Sequence, residues 1–310
     1  MDTKNKYYGM VKDTMKVAGI SQVRNEIEVI DFAIWHHLDQ GLDRLFISDN
    51  GSTDGTLEVI REWSERDDRV VLYNNDGPFH QERALTLMAQ MAYEDGCAWC
   101  IPFDGDELWL SDNGLKTDIM SLDDYEDGVR VHLVNFIQNY NHSTLPYEIY
   151  SSVKWKIPDS INYATQVEVE YKLRSMLEFR WDRKHILKLS DNLYIGEGSH
   201  TAAPSFRFIR CDDPRWKVYH VPIRSYTHMI RKAENGLRIK EAGYPYGYGW
   251  EAHIWADQYL SGTLLGEWRA NSEIGGVLTR YDGTELMLQE DSAVSDIYAR
   301  YVSEMVNRER

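Results

Sequence analysis

Two clusters of carboxylate and hydroxyl side chains could bind a charged ligand. The first runs from Ser48 to Thr56, with the sequence Ser-Asp-Asn-Gly-Ser-Thr-Asp-Gly-Thr. A carboxylate such as Asp49 can accept hydrogen bonds from a nucleobase N–H or a ribose hydroxyl. Gly51 allows a tight turn and a close approach by a ligand, and Thr53 or Asp54 can cap a helix that follows. An ordinary strand-to-helix turn with a good cap would have the same composition.

The second cluster, Phe103-Asp104-Gly105-Asp106-Glu107, carries three acids within four residues. Two carboxylates with a glycine between them can converge on one hard divalent cation. Mg²⁺ or Mn²⁺ held there would neutralise a diphosphate and stabilise it as a leaving group. The alternative is an acidic surface turn. A calcium loop of the EF-hand type is excluded, because its sixth position, counted from Asp104, is Trp109 and its twelfth is Leu115.

Both clusters follow short apolar runs that we interpret as strands of one sheet. The predicted strands are 16–23, 45–47, 69–73 and 98–103, and residues with helical periodicity lie between them at 27–38, 57–63 and 84–92. This alternation predicts an α/β fold with a mostly parallel sheet and right-handed crossovers. In such sheets ligands bind beyond the carboxyl ends of the strands, where both clusters lie.

The second half of the sequence gives weaker signals. A longer strand is predicted over 129–140, and helices over 222–242, 254–260 and 292–306. The pattern between 141 and 220 is mixed. Because there is no internal repeat and no Pro- or Ser-rich linker, we expect the two halves to share one body.

The amino-acid composition indicates which kinds of binding partner to expect. The formal net charge is -16, so we expect no stable binding to nucleic acid, which normally requires a basic stripe. Neither a signal peptide nor an apolar run of roughly 18 residues is present, and we expect a soluble cytoplasmic protein. The cysteines, Cys97, Cys100 and Cys211, are too few for two metal-binding pairs, and we expect buried, reduced thiols.

Several segments together resemble the GT-A glycosyltransferases of the family 2 type, and most closely the branch with a D-x-D-E-F/W signature. They are Val23 to Glu26, Ser48 to Thr56, Phe103 to Trp109, and Val218 to Ser225 followed by Lys232 and Gly236. The resemblance covers about residues 15 to 240.

The resemblance implies a GT-A type fold in which residues 1–140 bind a nucleotide sugar. Residues 141–310 would bind the acceptor and form the C-terminal helices. The implied reaction is metal-dependent, inverting transfer of a sugar, with a UDP-sugar favoured, to an unknown acceptor hydroxyl. One alternative is a non-catalytic carbohydrate- or nucleotide-binding protein on the same scaffold. A sugar-phosphate nucleotidylyltransferase is disfavoured, because Arg24-Asn25-Glu26 stands where those enzymes have a Gly-rich loop.

The resemblance also implies roles for single residues. The sugar donor would be bound by Arg24, Asn25, Glu26, Asp49, Ser52, Asp54, Arg83 and Asp104. Arg83 could equally be a solvated helix residue. Asp104, Asp106 and His220 would bind Mn²⁺ or Mg²⁺, with His200 as a competitor of His220.

Inversion requires a general base, and the candidates are Glu197, Glu251 and Asp257. The aromatic segment 244–250 is either an acceptor-binding loop or a packed turn.

Overall fold

The computed structural model of the chain divides into two compact units. The first contains the chain up to Leu133 and Asp182–Tyr219, and the second contains Val134–Trp181 and the chain from His220 onward. The return of 182–219 to the first unit was not predicted from the sequence. The structure describes residues 15–74, 80–142, 148–203, 209–211, 213–247 and 249–308.

Short strands are distributed over the described parts of the chain. In chain order they are β1 (Lys16–Val23), β2 (Arg44–Asp49), β3 (Val70–Asn74), β4 (Cys97–Pro102), β5 (Glu107–Ser111), β6 (Gly128–Val131), β7 (Leu133–Ile137), β8 (Trp155–Lys156), β9 (Lys184–Lys188), β10 (Tyr194–Ile195), β11 (Ala202–Ala203), β12 (Ile209–Cys211), β13 (Trp216–His220), β14 (Glu273–Ile274), β15 (Val277–Thr279), β16 (Glu285–Met287) and β17 (Gln289–Glu290).

Helices connect the early strands and dominate the C-terminal part. They are α1 (Ile30–Asp39), α2 (Thr56–Arg66), α3 (Gln81–Glu94), α4 (Leu115–Met120), α5 (Gln166–Glu170), α6 (Tyr226–Glu241), α7 (Trp250–Leu260), α8 (Leu264–Ala270) and α9 (Ala293–Arg308).

The first unit is built on a seven-stranded sheet in the order β12-β6-β9-β4-β1-β2-β3. Strands β4, β1, β2 and β3 are parallel neighbours, while β9 runs antiparallel to both β4 and β6. Helix α3 covers one face, where Leu85 and Met88 pack against Ile20 and Phe46. The predicted α/β fold class, with a mostly parallel sheet flanked by helices, is confirmed.

The predicted long strand over 129–140 is wrong, because the chain changes partners within it. Strand β6 pairs with β9 in the seven-stranded sheet, whereas β7 pairs with β8. His132 separates the two strands, and its Nε2 accepts a hydrogen bond from Arg183 Nε at 2.9 Å. An unbroken run of β-forming residues cannot show such a switch.

The cysteine prediction holds for the two residues in β4. Cys97 and Cys100 are reduced and buried, and Cys211 is reduced and exposed. Burial raises the pKa of the Cys97 thiol to about 11 and raises that of Cys100 as well. Both buried thiols are therefore protonated at neutral pH, and thiolate chemistry is disfavoured there.

The second unit combines short antiparallel strands with helices α5 to α9. Strand β8 pairs with β7 and β17, and β14, β15 and β16 form an antiparallel meander. Buried side chains from α6, α7 and α8, among them Met229, Trp255 and Trp268, share one hydrophobic core. None of the helices in the described ranges is long and apolar enough to cross a membrane.

Helix α6 begins at Tyr226, four residues after its predicted start. Ser225 has extended backbone angles, and its side chain accepts a hydrogen bond from His228 N at 2.9 Å. This N-cap ends the extended segment and starts the helix. Helix α7 begins at Trp250, earlier than predicted, after Gly249 in a left-handed conformation.

Candidate functional site

The loops that follow β1, β2 and β4 meet at one edge of the sheet. The ladder between these strands continues past their ends, since Asn50 N donates to Val23 O at 2.9 Å and Phe103 N donates to Ile20 O at 3.0 Å. A Cβ placed on Gly105 would lie 3.5 Å from Glu26 Cγ. The first and third loops are therefore in contact, and both predicted polar clusters border the same region.

Side chains fasten the β1 loop to the β2 loop. Asn25 N donates to Ser52 Oγ at 2.9 Å, and Thr53 N donates in return to Asn25 Oδ1 at 2.8 Å. Asn25 has a φ of 55°, a left-handed conformation that asparagine tolerates better than most residues. Asp54 Oδ2 accepts from Ile27 N at 3.2 Å. Asn25, Ser52 and Asp54, predicted to bind the sugar donor, thus also hold the two loops together.

Asp49, the last residue of β2, is fully buried. Its Oδ2 accepts a hydrogen bond from Ser52 N at 2.9 Å. Its Oδ1 is also buried, and no described residue donates to it. Because leaving a buried charged oxygen without a donor is costly, this atom is ready to accept a hydrogen bond from a ligand.

The acidic turn after β4 contains a cation that was not predicted. Lys184 of β9, which is 2% exposed, places its Nζ 2.8 Å from Asp104 Oδ2 and 3.0 Å from Glu107 Oε1. Burial alone would lower the pKa of Lys184, but the two carboxylates outweigh it and raise that pKa. Burial raises the pKa of Glu107 to about 8, against the opposing charge of Lys184, and the charges of Asp104 and Asp106 add to the rise.

Helix α3 brings a second unpredicted residue to the turn. Gln81 Nε2 donates to Asp104 Oδ1 at 3.3 Å, and Gln81 Oε1 accepts from Gly198 N at 3.2 Å. Gly198 belongs to the short 3-10 turn Glu197–Ser199. The backbone of Glu197 therefore lies near the acidic turn, whereas its side chain lies outside the described part of the structure.

Lys184 and Gln81 were missed for different reasons. Lys184 lies in a segment with no clear sequence pattern, and its importance depends on a long-range antiparallel pairing. Gln81 stands two residues before Arg83, which was selected instead. Arg83 is exposed on the first turn of α3, and Arg24 is half-buried in the β1 loop.

The acidic turn fits a divalent cation that a ligand helps to hold. In the described residues, no three His, Cys, Asp or Glu side chains are grouped so that they could hold a metal ion by themselves. Asp104 and Asp106 do supply carboxylate oxygens, and Mg²⁺ commonly takes one or two carboxylates together with the phosphates of a substrate.

The two histidines considered as ligands lie in different units. His220 belongs to the second unit, where its Nδ1 is 2.8 Å from Asn135 Oδ1. His200 belongs to the first unit, where its Nδ1 is 3.3 Å from the carbonyl oxygen of Arg183. Burial lowers the pKa of His200, and the nearby charge of Lys184 lowers it further.

Two candidates for the general base lie in the second unit and have different surroundings. Asp257 is exposed and forms an ion pair with Lys240. Burial raises the pKa of Glu251, and the charge of Lys232 opposes the rise. A raised carboxyl pKa suits proton transfer near neutral pH, so its surroundings favour Glu251 over Asp257.

The aromatic segment 244–250 makes packing contacts at Trp250 and at Tyr246, whose ring centroid lies 5.5 Å from that of His253. Trp250 stacks on Trp181 with ring centroids 6.0 Å apart. Tyr246 is exposed, and its hydroxyl donates to Glu170 Oε1 at 3.0 Å. Tyr248 lies outside the described residues.

A buried histidine lies under the acidic turn and should make the stability of the protein depend on pH. The ring of His37 stacks on Phe103, with centroids 3.9 Å apart. Its Nδ1 donates to the carbonyl oxygen of Ala33 at 2.7 Å. Burial, with His36 adding to the effect, lowers the pKa of His37 to about 3.

Between pH 6.5 and pH 3 the unfolded chain therefore binds a proton at His37 that the folded protein does not. The free energy of unfolding should fall as the pH falls, by about 2 kcal/mol from this residue between pH 8 and pH 5. Urea unfolding at both pH values should show that His37→Phe lacks this part of the change. The half-buried His80, changed to Gln, is the control. Equal changes in wild type and His37→Phe would refute the prediction.

Comparison with known proteins identifies one family. The model of the family described as glycosyl transferase family 2 matches residues 20–213, more than half of the 310-residue chain. No curated protein sequence matches the chain.

Among solved structures, the chain is similar to residues 1–349 of TarS from S. aureus in complex with UDP-GlcNAc. The identity is 15%, the TM-score is 0.41, and the match covers 84% of this chain and 75% of that one. The mannosyltransferase PcManGT from Pyrobaculum calidifontis, in complex with GDP-Man and Mn²⁺, is also 15% identical, with a TM-score of 0.37 and coverage of 85% and 81%. Neither likeness defines a ligand of this chain.

Proposed function

Because the chain belongs to glycosyl transferase family 2 and is a glycosyltransferase, we propose that it transfers a sugar from a nucleoside-diphosphate donor to an acceptor hydroxyl. A UDP-sugar is the favoured donor. The observation that carries the proposal is the buried Oδ1 of Asp49, which no described residue satisfies. Asp49 lies at the carboxyl end of β2, which has parallel neighbours on both sides, and such sheets bind nucleotides at this end of their strands.

The chemistry of Asp49 selects among nucleobases. An ionised carboxylate oxygen such as Oδ1 accepts hydrogen bonds and donates none. Uracil offers a ring N–H between two carbonyl groups, and guanine offers a ring N–H beside an amino group. Cytosine and adenine have no ring N–H on the corresponding edge. We therefore expect uridine or guanosine diphosphates to bind more tightly than cytidine or adenosine diphosphates.

The acidic turn would serve the diphosphate. Asp104 and Asp106 would bind Mg²⁺ or Mn²⁺ together with the phosphate oxygens, and such a cation neutralises charge on the leaving diphosphate. Gln81 and Lys184 hold the Asp104 carboxylate in place from two sides. A metal-binding carboxylate with a fixed orientation would keep the bound diphosphate close to its reactive geometry.

The β1 loop would line the nucleotide beside Asp49. Its position is set by its hydrogen bonds to the β2 loop, so Arg24 and Glu26 extend from a fixed backbone. Arg83, exposed at the start of α3, is proposed to reach the diphosphate. His220 is proposed as a further metal ligand.

Inversion at the sugar requires a base that removes the proton of the acceptor hydroxyl. Glu197, Glu251 and Asp257 remain the proposed candidates. Single substitutions of each by the corresponding amide would identify the base, because only the true base should lower kcat while leaving the affinity for the nucleotide unchanged.

Binding of nucleotides tests the proposal directly. We expect UDP, with Mn²⁺ present, to stabilise the wild type against heat. At about 100 times its dissociation constant, a ligand adds about 2.7 kcal/mol to the free energy of unfolding. The measurement compares UDP, GDP, CDP and dTDP, each with Mn²⁺ and with a chelator. If none of them stabilises the protein, the proposed donor site is wrong.

The variant Asp49→Asn should bind the nucleotide about 10 to 100 times more weakly, which corresponds to the loss of a hydrogen bond to a charged group. Its amide oxygen can still accept from Ser52 N, but its NH₂ group would then face the N–H of the base. Glu62→Gln, which removes an exposed carboxylate from α2, is the charge-matched control. Equal affinity of wild type and Asp49→Asn would assign base recognition to another residue.

A further inference from the structure

Lys184 is a buried cation within the acidic turn. Its ammonium group contacts Asp104 Oδ2 at 2.8 Å and Glu107 Oε1 at 3.0 Å. Lysine is almost never buried without partners, because removing an ammonium group from water costs several kcal/mol. The carboxyl groups of Asp104 and Glu107 compensate that cost here, so the three side chains form one unit.

The topology of the sheet places Lys184 at this point. Strand β9 runs antiparallel to β4, with Cys100 opposite Leu187. Continuing that register by three residues puts Phe103 opposite Lys184. Since β4 ends where β9 begins, the first residue of β9 stands beside the residue that precedes Asp104. On its other side, Lys184 is opposite Val131 of β6.

Two further hydrogen bonds hold the turn. Asp104 N donates to Glu107 Oε2 at 3.2 Å, and Gln81 Nε2 donates to Asp104 Oδ1 at 3.3 Å. Neither contact supplies positive charge. Asp104, Asp106 and Glu107 lie within four residues, and like charges this close repel one another.

We propose that Lys184 is a positioning residue that acts as the resident cation of the acidic turn. It holds Asp104 and Glu107 in place when no divalent cation is bound, and it weakens the affinity of the turn for that cation. The inference rests on the proposed sugar-donor site, because it concerns the same turn. It adds that the turn is preformed before a nucleotide and a metal arrive.

The physical reason is competition between cations for one carboxylate. A divalent cation on Asp104 must share that carboxylate with the ammonium group or displace it, and both cations are positive. Removing the ammonium group should therefore strengthen metal binding while leaving the metal-free turn unbalanced. A residue that only fills space in the core would change stability equally with and without metal.

The test measures Mn²⁺ binding by wild type and Lys184→Met without any nucleotide. The electron paramagnetic resonance signal of free Mn²⁺ reports the dissociation constant. We expect Lys184→Met to bind Mn²⁺ at least tenfold more tightly. Lys184→Arg, which keeps the positive charge, should bind like the wild type. Lys188→Met, which removes the ammonium group of a half-buried lysine at the other end of β9, is the matched control and should not differ.

Thermal unfolding gives a second readout. The melting temperature of wild type should be nearly the same in chelator and in 1 mM Mn²⁺. That of Lys184→Met should be several degrees lower in chelator than in Mn²⁺. Equal Mn²⁺ affinity of wild type and Lys184→Met, or an equal loss of stability in both solutions, overturns the proposal.

If Lys184→Met does not fold, hydrogen exchange in the wild type tests whether the turn is preformed without metal. The amides of the turn 103–107 should be protected as strongly in chelator as in Mn²⁺. Protection that appears only with Mn²⁺ overturns the proposal. Because no nucleotide is used, these outcomes are independent of whether UDP binds, and a failure here is distinct from a failure of the proposed function.

Discussion

Replacing Asp106 by Asn should lower the rate of sugar transfer by at least about a hundredfold, since even residues that only support a metal ligand cost 10- to 100-fold when changed. Asp106 is buried and is separated from Asp104 by one glycine. Its carboxylate would supply a charged oxygen to the cation that stabilises the leaving diphosphate. An amide is neutral and a weaker ligand, so that stabilisation would be largely lost while the shape of the side chain is kept.

The rate can be measured as release of nucleoside diphosphate from UDP-glucose, UDP-N-acetylglucosamine and GDP-mannose, with saturating Mn²⁺. Asp112→Asn is the control, because this residue follows the end of β5 and its exposed carboxylate lies 3.8 Å from Lys217 Nζ. Full activity of Asp106→Asn would show that this carboxylate has no part in catalysis. The thermal shift with UDP should meanwhile depend less on Mn²⁺ in the variant than in wild type.

Replacing Gly236 by Ala should lower the free energy of unfolding by about 3 kcal/mol, at the upper end of the usual cost of overpacking. Gly236 lies in α6 where that helix crosses α7. A Cβ at this position would be 2.1 Å from the carbonyl oxygen of Ala252 and 2.8 Å from its carbonyl carbon. These are backbone atoms, so the helices must separate to admit the methyl group. The intrinsic preference of helices for alanine, roughly 0.5 to 1 kcal/mol, offsets only part of this cost.

Gly266→Ala is the matched control for Gly236→Ala. Gly266 also lies within a helix, α8, but a Cβ there would have no atom within 4 Å. This substitution should leave stability unchanged or raise it slightly. Urea unfolding, followed by circular dichroism, measures both variants. If Gly236→Ala is as stable as wild type, the close approach of α6 and α7 is not required by the fold.

The sequence predicted the parallel part of the sheet well, because local patterns determine it. Strand β1 has the predicted bounds, and the strands that became β2, β3 and β4 differ by one or two residues at each end. Each is a short apolar run, and β1, β2 and β3 are each followed by a helix with clear periodicity. The carboxylates of Asp49, Asp104 and Asp106 could be found for the same reason, since they directly follow such strands.

The rest of the site depends on contacts between distant residues. Lys184 joins the acidic turn only because β9 inserts between β4 and β6, and nothing in the segment 184–188 specifies those neighbours. Many strands in the second half of the chain have two or three residues, too few to show a period. The return of 182–219 to the first unit likewise depends on tertiary contacts, which no local sequence pattern indicates.

The paired hydrogen bonds between the β1 and β2 loops restrict how relatives of this protein can diverge. Each loop uses a side chain to satisfy a backbone N–H of the other, through Asn25 to Thr53 and through Ser52 to Asn25. A substitution in one loop leaves an unsatisfied amide in the other, so the two segments cannot vary independently. Their residues should co-vary, and evolution of a new nucleotide preference would require coordinated replacements rather than single ones.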